Sequence, residues 1–471
     1  MIIKLATARA SWTRLTAKVC SGVNASNRRK SHVAALVLAL AAAWCSAPGT
    51  ARAQDVDQNL TLSALESELI DSPALAAADT RIFGADQTVN YESARGRGFD
   101  YFFENDFGPR SDIVLGDETN RTIRYGQLFG VAFPLFGTRL TEHLALAQAQ
   151  SEANLARIEA EGERRKLLAS LREDYIKYWQ YDREQAIVAN YVALEKAELP
   201  SARAFLREGF WTQANYLSFL DQLAQFSTNL SALRSSRRSA LADIRAIVND
   251  DVPDRTPDTP DLAISCSPPV DSAVAVAADN DADVARLQEQ QSEAKASLDF
   301  IRNSSITADF RVGVGGNADI PQHALGYNIT GAFAISFPQH MNPQESAKRE
   351  TAFANIQMYH YLEMQRRSEI RASVMNVVDQ ASSARDDYLQ AKLEDKTDHE
   401  LLREARVREA TIIATGAASF NEVQLRILDS YTAERKETSE LGATYVSVNA
   451  IETLVPNTCI PFRIDGPLVK P

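Results

Sequence analysis

A short segment that occurs twice decides the fold, first as Gly209-Phe-Trp-Thr212-Gln-Ala-Asn215 and again as Gly416-Ala-Ala-Ser419-Phe-Asn-Glu422. In both copies a hydroxyl residue lies three positions after the glycine, and a polar residue lies six positions after it. A glycine ends a helix well because it adopts the left-handed conformation, and a serine or threonine caps the next helix through its side-chain oxygen. The repeated segment therefore predicts two tips of helical hairpins.

Long segments rich in Ala, Glu, Arg and Leu precede both motifs. In the first of them Leu168, Leu171, Tyr175 and Tyr178 recur at steps of three and four, which is typical of a helix that packs along another helix. A helix of about 70 residues is about 105 Å long, so it needs equally long neighbours. We expect Pro200 to interrupt or kink the first long helix. The predicted helices are 139–208, 213–248, 345–415 and 420–454.

Aromatic-rich segments precede the long helices and end at Phe133-Pro134 and Phe337-Pro338. They span about 98–136 and about 305–338, and a polar segment divides each of them, so both predict a strand pair. The predicted loops are 105–120 in the first pair and the region of Pro321 in the second. Along 327–337 apolar residues alternate with small or polar ones. A strand of a membrane barrel and a strand packed on a core both give this alternation.

The N-terminal region predicts a secretory signal peptide over residues 1–53. It is basic without acidic residues, contains an apolar run from Val33 to Trp44, and ends in the small-x-small pattern Ala51-Arg52-Ala53. The run is shorter than the roughly 20 residues that span a bilayer, although a retained anchor is the alternative. The rest divides into a first repeat (54–250), a linker (251–282), a second repeat (283–454) and a C-terminal tail (455–471).

The composition argues against several classes of function. The net charge is −12, which disfavours nucleic acid as a partner. The six histidines are scattered, and the chain has no Cys-x-x-Cys motif. Gly313-Val-Gly315-Gly316 lies in a strand pattern without the helix that a nucleotide-binding loop requires. The sequence therefore predicts no enzyme, no cofactor and no metal site.

Two cysteines, Cys266 and Cys459, lie just beyond the helices of their own repeats. Export would place them in an oxidising compartment, where disulfides persist. A disulfide between them and two unpaired thiols both fit the sequence, because spacing alone does not bring two Cα atoms within bonding distance.

The order and duplication of these features resemble the TolC-like outer-membrane factor family, the outer membrane efflux proteins. Phe133-Pro134-Leu135-Phe136-Gly137 matches the strand-to-helix junction of that family, and the resemblance covers roughly residues 60–455. It implies a mainly α fold with a β-barrel part, in which a duplicated strand pair and long helical hairpin form each chain. It further implies a homotrimer whose 12-stranded barrel lies in the outer membrane and continues as a periplasmic α-helical barrel.

The resemblance also implies a function. The family forms the outer-membrane duct of tripartite efflux or type I secretion systems, and conducts substrates passively from a periplasmic adaptor and an inner-membrane transporter to the exterior. The implied partners are two further copies of the chain, the adaptor, the transporter and outer-membrane lipid. By motif match, the residues at the adaptor-docking hairpin tips are Gly209, Thr212, Gly416 and Ser419.

Asn215 and Glu422 are the candidate residues of a periplasmic gate. Family members often carry acids six and nine positions after the second glycine, and here these positions are Glu422 and Leu425. Three Glu422 side chains in a trimer would repel one another and favour cations. Alternatively, Glu422 has no role in a gate and only stabilises the N-terminus of its helix, where a negative charge interacts favourably with the helix dipole.

Arginines crowd the approaches to both tips. They either pair across the hairpins or contact the adaptor, or they are ordinary cations near the C-termini of helices. The five are Arg203, Arg207, Arg403, Arg406 and Arg408.

A periplasmic coiled-coil adaptor is the alternative function, since such proteins also contain helical hairpins. Two hairpins that each follow a strand pair argue against it. The third hypothesis is an enzyme with additional helices, and the absence of a catalytic motif in the sequence disfavours it.

Overall fold

The computed structural model describes residues 59–112, 120–249, 251–263, 266–301, 306–320, 324–337, 341–411 and 416–456. The predicted signal peptide and most of the predicted tail lie outside the described residues. In chain order the elements are α1 (Leu62–Leu69), α2 (Pro73–Arg95), β1 (Asp100–Asp112), β2 (Asn120–Leu135), α3 (Phe136–Arg207), α4 (Gln213–Val248), α5 (Val270–Asn280), α6 (Ala282–Ile301), β3 (Thr307–Ile320), β4 (Ala324–Ser336), α7 (Met341–Thr411) and α8 (Gly416–Leu454).

The four strands form one antiparallel sheet in the order β1-β2-β3-β4. Its strands are longer than predicted, because β1 continues through part of the polar segment that the sequence assigned to a loop. Asn105, for example, lies opposite Gln127 in β2. A strand tolerates polar residues when its backbone is paired, so composition alone misplaced this boundary. Residues 113–119 and the predicted turn at Pro321 lie outside the described residues.

One face of the sheet is apolar and is not covered by the described part of the chain. The predicted outward side chains of β4 and the residue that follows it are all exposed: Tyr327, Ile329, Phe333, Ile335 and Phe337. On the same sheet Tyr101 stacks on Phe129 with ring centroids 6.2 Å apart. A sheet packed on a core of its own chain would bury these rings. Among the described residues the rings are exposed, so the alternative of a strand packed on a core is not supported.

The two long helices α3 and α7 contain 72 and 71 residues. Backbone contacts join α4 to α3, α3 to α8 and α8 to α7, so the four helices lie side by side in the order α4-α3-α8-α7. The predicted apolar seam is confirmed, because Leu171, Tyr175 and Tyr178 are fully buried. They form one cluster with residues of α1 and α4, among them Leu65 and Ile244.

Pro200 does not interrupt α3, which continues to Arg207, so the predicted interruption is wrong. The alternative of a kink at Pro200 stays a prediction. Proline removes one backbone hydrogen bond of the helix. Here the surrounding turn is held by packing, since Ala202 is fully buried and Leu199 packs against the same apolar cluster. Tertiary contacts therefore offset the local cost of the proline.

Three further helices, α2, α5 and α6, were not predicted. The sequence predicts a short helix from Leu60 to Leu69 that ends at Ser72-Pro73, and α1 confirms it. Ser72, however, also caps the 23-residue helix α2, and Pro73 occupies its first turn. The predicted linker contains α5, which buries three alanines against α7. Among the described residues, no helix has a stretch long and apolar enough to cross a membrane.

Candidate functional site at the hairpin tips

The first hairpin turn has the geometry that the motif predicts. Gly209 has a φ of +78°, which favours glycine because other residues are strained there. Thr212 is the residue before α4, and its Oγ1 accepts a hydrogen bond from the backbone N–H of Asn215 at 3.2 Å. This bond satisfies one of the unpaired N–H groups at the start of the helix. The turn is therefore specified by residues within the motif.

The second turn differs from the prediction. Helix α8 begins at Gly416 rather than at residue 420, so Ser419 lies within the first turn of the helix and not before it. Two alanines follow Gly416, and alanine is the strongest helix former, which explains the earlier start. Residues 412–415 and the side chain of Ser419 lie outside the described part of the structure.

An aromatic cluster joins the two tips, and the sequence reading missed it. The ring of Phe420, at the start of α8, lies 5.0 Å from Phe205 and 5.1 Å from Trp211. Phe219 of α4 lies 6.1 Å from Trp211. Each such pair contributes about 0.5–1.5 kcal/mol beyond its buried area. The aromatic residues within both repeated motifs could have indicated this cluster, but no pattern in the sequence shows that they contact one another. We call these four residues the tip cluster.

The candidate gate residue Glu422 takes part in an ion pair. Arg408 Nη1 of α7 donates to Glu422 Oε1 at 2.9 Å, and both side chains are about half exposed. Arg408 also lies 3.5 Å from Glu404 of its own helix. The charge of Glu422 is therefore partly compensated by its own hairpin.

Two of the other tip arginines also have partners within their own hairpin. Arg403 Nε donates to Glu400 at 2.7 Å, and Arg203 Nε donates to the hydroxyl of Tyr216 at 3.3 Å. Arg203 reaches α4 from α3 within the first hairpin, so this contact is not the predicted pairing across hairpins. Arg403 pairs along its own helix.

Asn215, the other candidate gate residue, lines a groove of about 350 Å³ between the first turns of α4 and α8. The groove contains several amides and two leucines, and the indole of Trp211 forms part of its wall. Within the described ranges of the chain, the indole Nε1 of Trp211 is buried without a hydrogen-bond partner. The groove therefore combines polar and apolar groups at the place where the two hairpins meet.

Beyond the groove lies a buried acid, Glu195 of α3, which the sequence reading also missed. Its side chain is fully buried, and burial together with the nearby Glu198 raises its pKa to about 7. When the amide of Gln424 is oriented with its nitrogen toward Glu195, it donates to the two carboxylate oxygens at 3.0 and 3.2 Å. Gln424 belongs to α8, so this contact connects the two hairpins.

A Ser-His-Asp arrangement in the second hairpin is structural. Ser430 Oγ lies 3.2 Å from His399 Nδ1, and His399 Nε2 lies 3.3 Å from Asp395 Oδ1. Ser430 is fully buried and also bonds the hydroxyl of Tyr191 at 2.9 Å. A substrate cannot reach a buried serine, so these residues connect α3, α7 and α8 instead. In the described part of the chain, no group of three or more His, Cys, Asp or Glu is arranged to hold a metal ion.

Cys266 is disulfide-bonded. Cys459 lies outside the described residues, so the predicted pairing of the two cysteines stays a prediction.

Comparisons with known proteins identify the fold. No family model and no curated protein sequence matches the chain. The structure is similar to that of the outer membrane protein VceC from Vibrio cholerae, with a TM-score of 0.66 and 13% identity over 84% of this chain and 96% of that chain. A membrane protein from Pseudomonas aeruginosa matches with a TM-score of 0.69 and 13% identity, covering 86% and 92% of the two chains.

The open state of the MtrE outer membrane channel from Neisseria gonorrhoeae also matches, with a TM-score of 0.64 and 14% identity over 84% and 88% of the chains. At such identities the likeness shows the fold. The chain therefore has the TolC-like outer-membrane factor fold, and the strand pairs and long hairpins predicted from the sequence are confirmed as its main parts.

Proposed function

We propose that three copies of this chain form an outer-membrane channel that continues into the periplasm as a helical tunnel. The channel conducts substrates passively from a periplasmic adaptor and an inner-membrane transporter to the exterior. The solved channels with the same fold support this function over that of an adaptor. The observation that carries it is the complementarity of the two outer helices of the layer, α4 and α7.

Helix α7 presents an apolar stripe to its surroundings. Its first three members are eleven residues apart, which is about three helical turns, so they share one face. All members are between 47% and 67% exposed. Large apolar side chains that recur on one exposed face of a long helix favour burial against another chain. We call it the α7 stripe, and it consists of Phe353, Met364, Met375, Leu389, Leu393 and Val407.

Helix α4 presents the opposite kind of surface at the other end of the layer. Exposed small residues recur there at steps of three and four, which places them on one face. Large side chains of one helix pack into the space that small residues leave on another. The α4 face of one copy therefore fits the α7 stripe of the next. The small residues are Ala224, Thr228, Ser231, Ser235, Ser239, Ala242 and Ala246.

The sheet supports the same assembly. Strands β1 and β4 are its two edges, and an exposed edge of unpaired backbone groups favours pairing with another chain. Because the four strands alternate in direction, β4 of one copy is antiparallel to β1 of the next. Three copies would close 12 strands into a barrel whose apolar face, with Tyr327 and Phe333, contacts lipid.

The test is to isolate the protein from the outer membrane in detergent, measure its native mass, and record currents after reconstitution in a planar bilayer. We expect a trimer that conducts ions. A soluble monomer in the periplasmic fraction would overturn the proposal, and so would a membrane-bound trimer without conductance.

A further inference from the structure

The groove between α4 and α8, which we call the tip groove, has an unusual lining. Among the described residues, every one that lines it is uncharged. Each helix contributes four residues at steps of three, one and three, so each set lies on one helical face. Such a spacing usually joins two helices through an apolar seam. Here amide side chains take part instead, among them Asn215, Gln222 and Asn421, and a space of about 350 Å³ remains between the helices.

Two side chains of the tip groove each have a buried nitrogen without a hydrogen-bond partner. In the part of the chain that the structure describes, these nitrogens are Trp211 Nε1 and Gln222 Nε2. The whole side chain of Trp211 is buried, with only 5% of the residue exposed. A buried donor without a partner is costly, because it has lost its bonds to water and gained none in return. A ligand that offers acceptors to both nitrogens would remove this cost.

The lining of the tip groove specifies the chemistry of such a ligand. An amide side chain both donates and accepts hydrogen bonds, so its best complement is another amide. Phe219 and Leu425 add apolar surface beside the amides, which suits an aliphatic group on the ligand. A charged ligand would be desolvated without a counter-charge among the described lining residues. The volume lies at the lower end of the range for small-molecule sites, which is about 300–1,000 Å³.

We propose that the tip groove binds a small uncharged amide with an aliphatic side group, which bridges α4 of the first hairpin and α8 of the second. The carbonyl groups of the ligand supply the acceptors that Trp211 Nε1 and Gln222 Nε2 lack. A ligand that contacts both helices stabilises the arrangement in which they lie together. The effect on flow rests on the proposed function, because the tips are then the entrance of the duct. An occupied groove holds the two hairpins together and lowers the open probability.

The probe for this site is N-acetyl-L-leucinamide, because it combines amide groups with an aliphatic side chain and carries no charge. It is titrated into the detergent-solubilised protein, and calorimetry measures its binding. For a ligand of this size we expect a dissociation constant on the order of 1 mM. N-acetyl-L-leucine has nearly the same shape but carries a carboxylate at neutral pH. We expect it to bind at least about tenfold more weakly, because the groove offers its charge no partner.

Trp211→Phe keeps an aromatic ring but removes the indole N–H, and Gln222→Leu removes the amide at similar size. Each variant should bind the probe about fivefold more weakly, which corresponds to the loss of one hydrogen bond. Gln225→Leu is the matched control, because Gln225 is an exposed amide of α4 outside the lining of the groove, and it should bind as the wild type does. Thermal unfolding checks that each variant is folded, and the second variant keeps the test available if the first is not.

The absence of saturable binding at about ten times the expected dissociation constant would overturn the proposal and leave a groove that holds water only. Equal affinities of the wild-type protein, Trp211→Phe and Gln222→Leu would also overturn it, because the probe would then bind elsewhere. Bilayer recordings separate this inference from the proposed function. We expect the probe to lower the open probability several-fold, and an unchanged open probability would refute the bridging of the hairpins. If the protein binds the probe through Trp211 and Gln222 but conducts no ions, the duct is refuted and the site is not.

Discussion

Arg408 of α7 and Glu422 of α8 form an ion pair of 2.9 Å that bridges the two helices of the second hairpin next to its turn. The acid that the sequence assigned to a gate is therefore held by a cation of its own hairpin. Since both side chains are about half exposed, the pair contributes less than about 1 kcal/mol to stability. We therefore expect Glu422 to affect the electric field at the channel entrance more than the stability of the fold.

Glu422→Gln should reduce the cation preference of the reconstituted trimer, because three carboxylates at the entrance would be lost. The measurement is the reversal potential in a salt gradient. Glu404→Gln is the control, since Glu404 shares Arg408 but lies one turn away on α7. If the cation preference of the channel is unchanged in Glu422→Gln, Glu422 is not a gate residue and only stabilises the N-terminus of its helix.

Phe420→Ala should destabilise the tips, because Phe420 is 1% exposed and contacts two other aromatic rings. The expected loss is about 3–5 kcal/mol of local stability. It should appear as faster hydrogen exchange in the first turns of α8 and as a higher open probability. The control is Phe210→Ala, which removes a ring that is 62% exposed. Equal effects of the two variants would contradict the tip cluster.

Leu393→Asp should prevent trimer assembly, because it places a charge in the α7 stripe where the neighbouring copy would bury it. The native mass in detergent measures this. Gln390→Asp introduces the same charge three residues away, at an exposed position outside the stripe, and should still form trimers. Trimers of Leu393→Asp with normal thermal stability would show that α7 faces something else.

Gly209→Ala should cost about 1–2 kcal/mol, because a residue with a side chain is strained at a φ of +78° although no atom would clash with the new Cβ. Thermal unfolding measures the change. Gly84→Ala in α2 also meets open space, but at a helical position, so it should raise stability by up to about 1 kcal/mol. Opposite signs for the two variants are the expected result.

Peptide mapping without reduction should recover Cys266 linked to Cys459, which is the bonded one of the two arrangements that fit the sequence. Cys459→Ser should then leave the thiol of Cys266 free to react with a maleimide in the unfolded protein. Recovery of Cys266 bonded to any other thiol would show that the prediction is wrong.

Features that depend on interactions between residues close in sequence were predicted well, whereas features that depend on contacts between distant segments were missed or misplaced. The bounds of α4 were predicted correctly, because Thr212 caps its first turn and capping is a local property. The start of α8 was misplaced, because alanines after Gly416 extended a helix that the motif alone would begin later. Helix α5 was missed, because its alanines become a core only when α7 lies against them.

By itself the sequence determined the duplicated strand pair and hairpin, the turn at Gly209, and the apolar seams, since caps and periodicity act over a few residues. The tertiary structure decided which side chains of the two hairpins meet. It buried Glu195 against Gln424, assembled the tip cluster and paired Arg408 with Glu422. These contacts join residues on different helices, and their energies depend on burial, which no local pattern encodes.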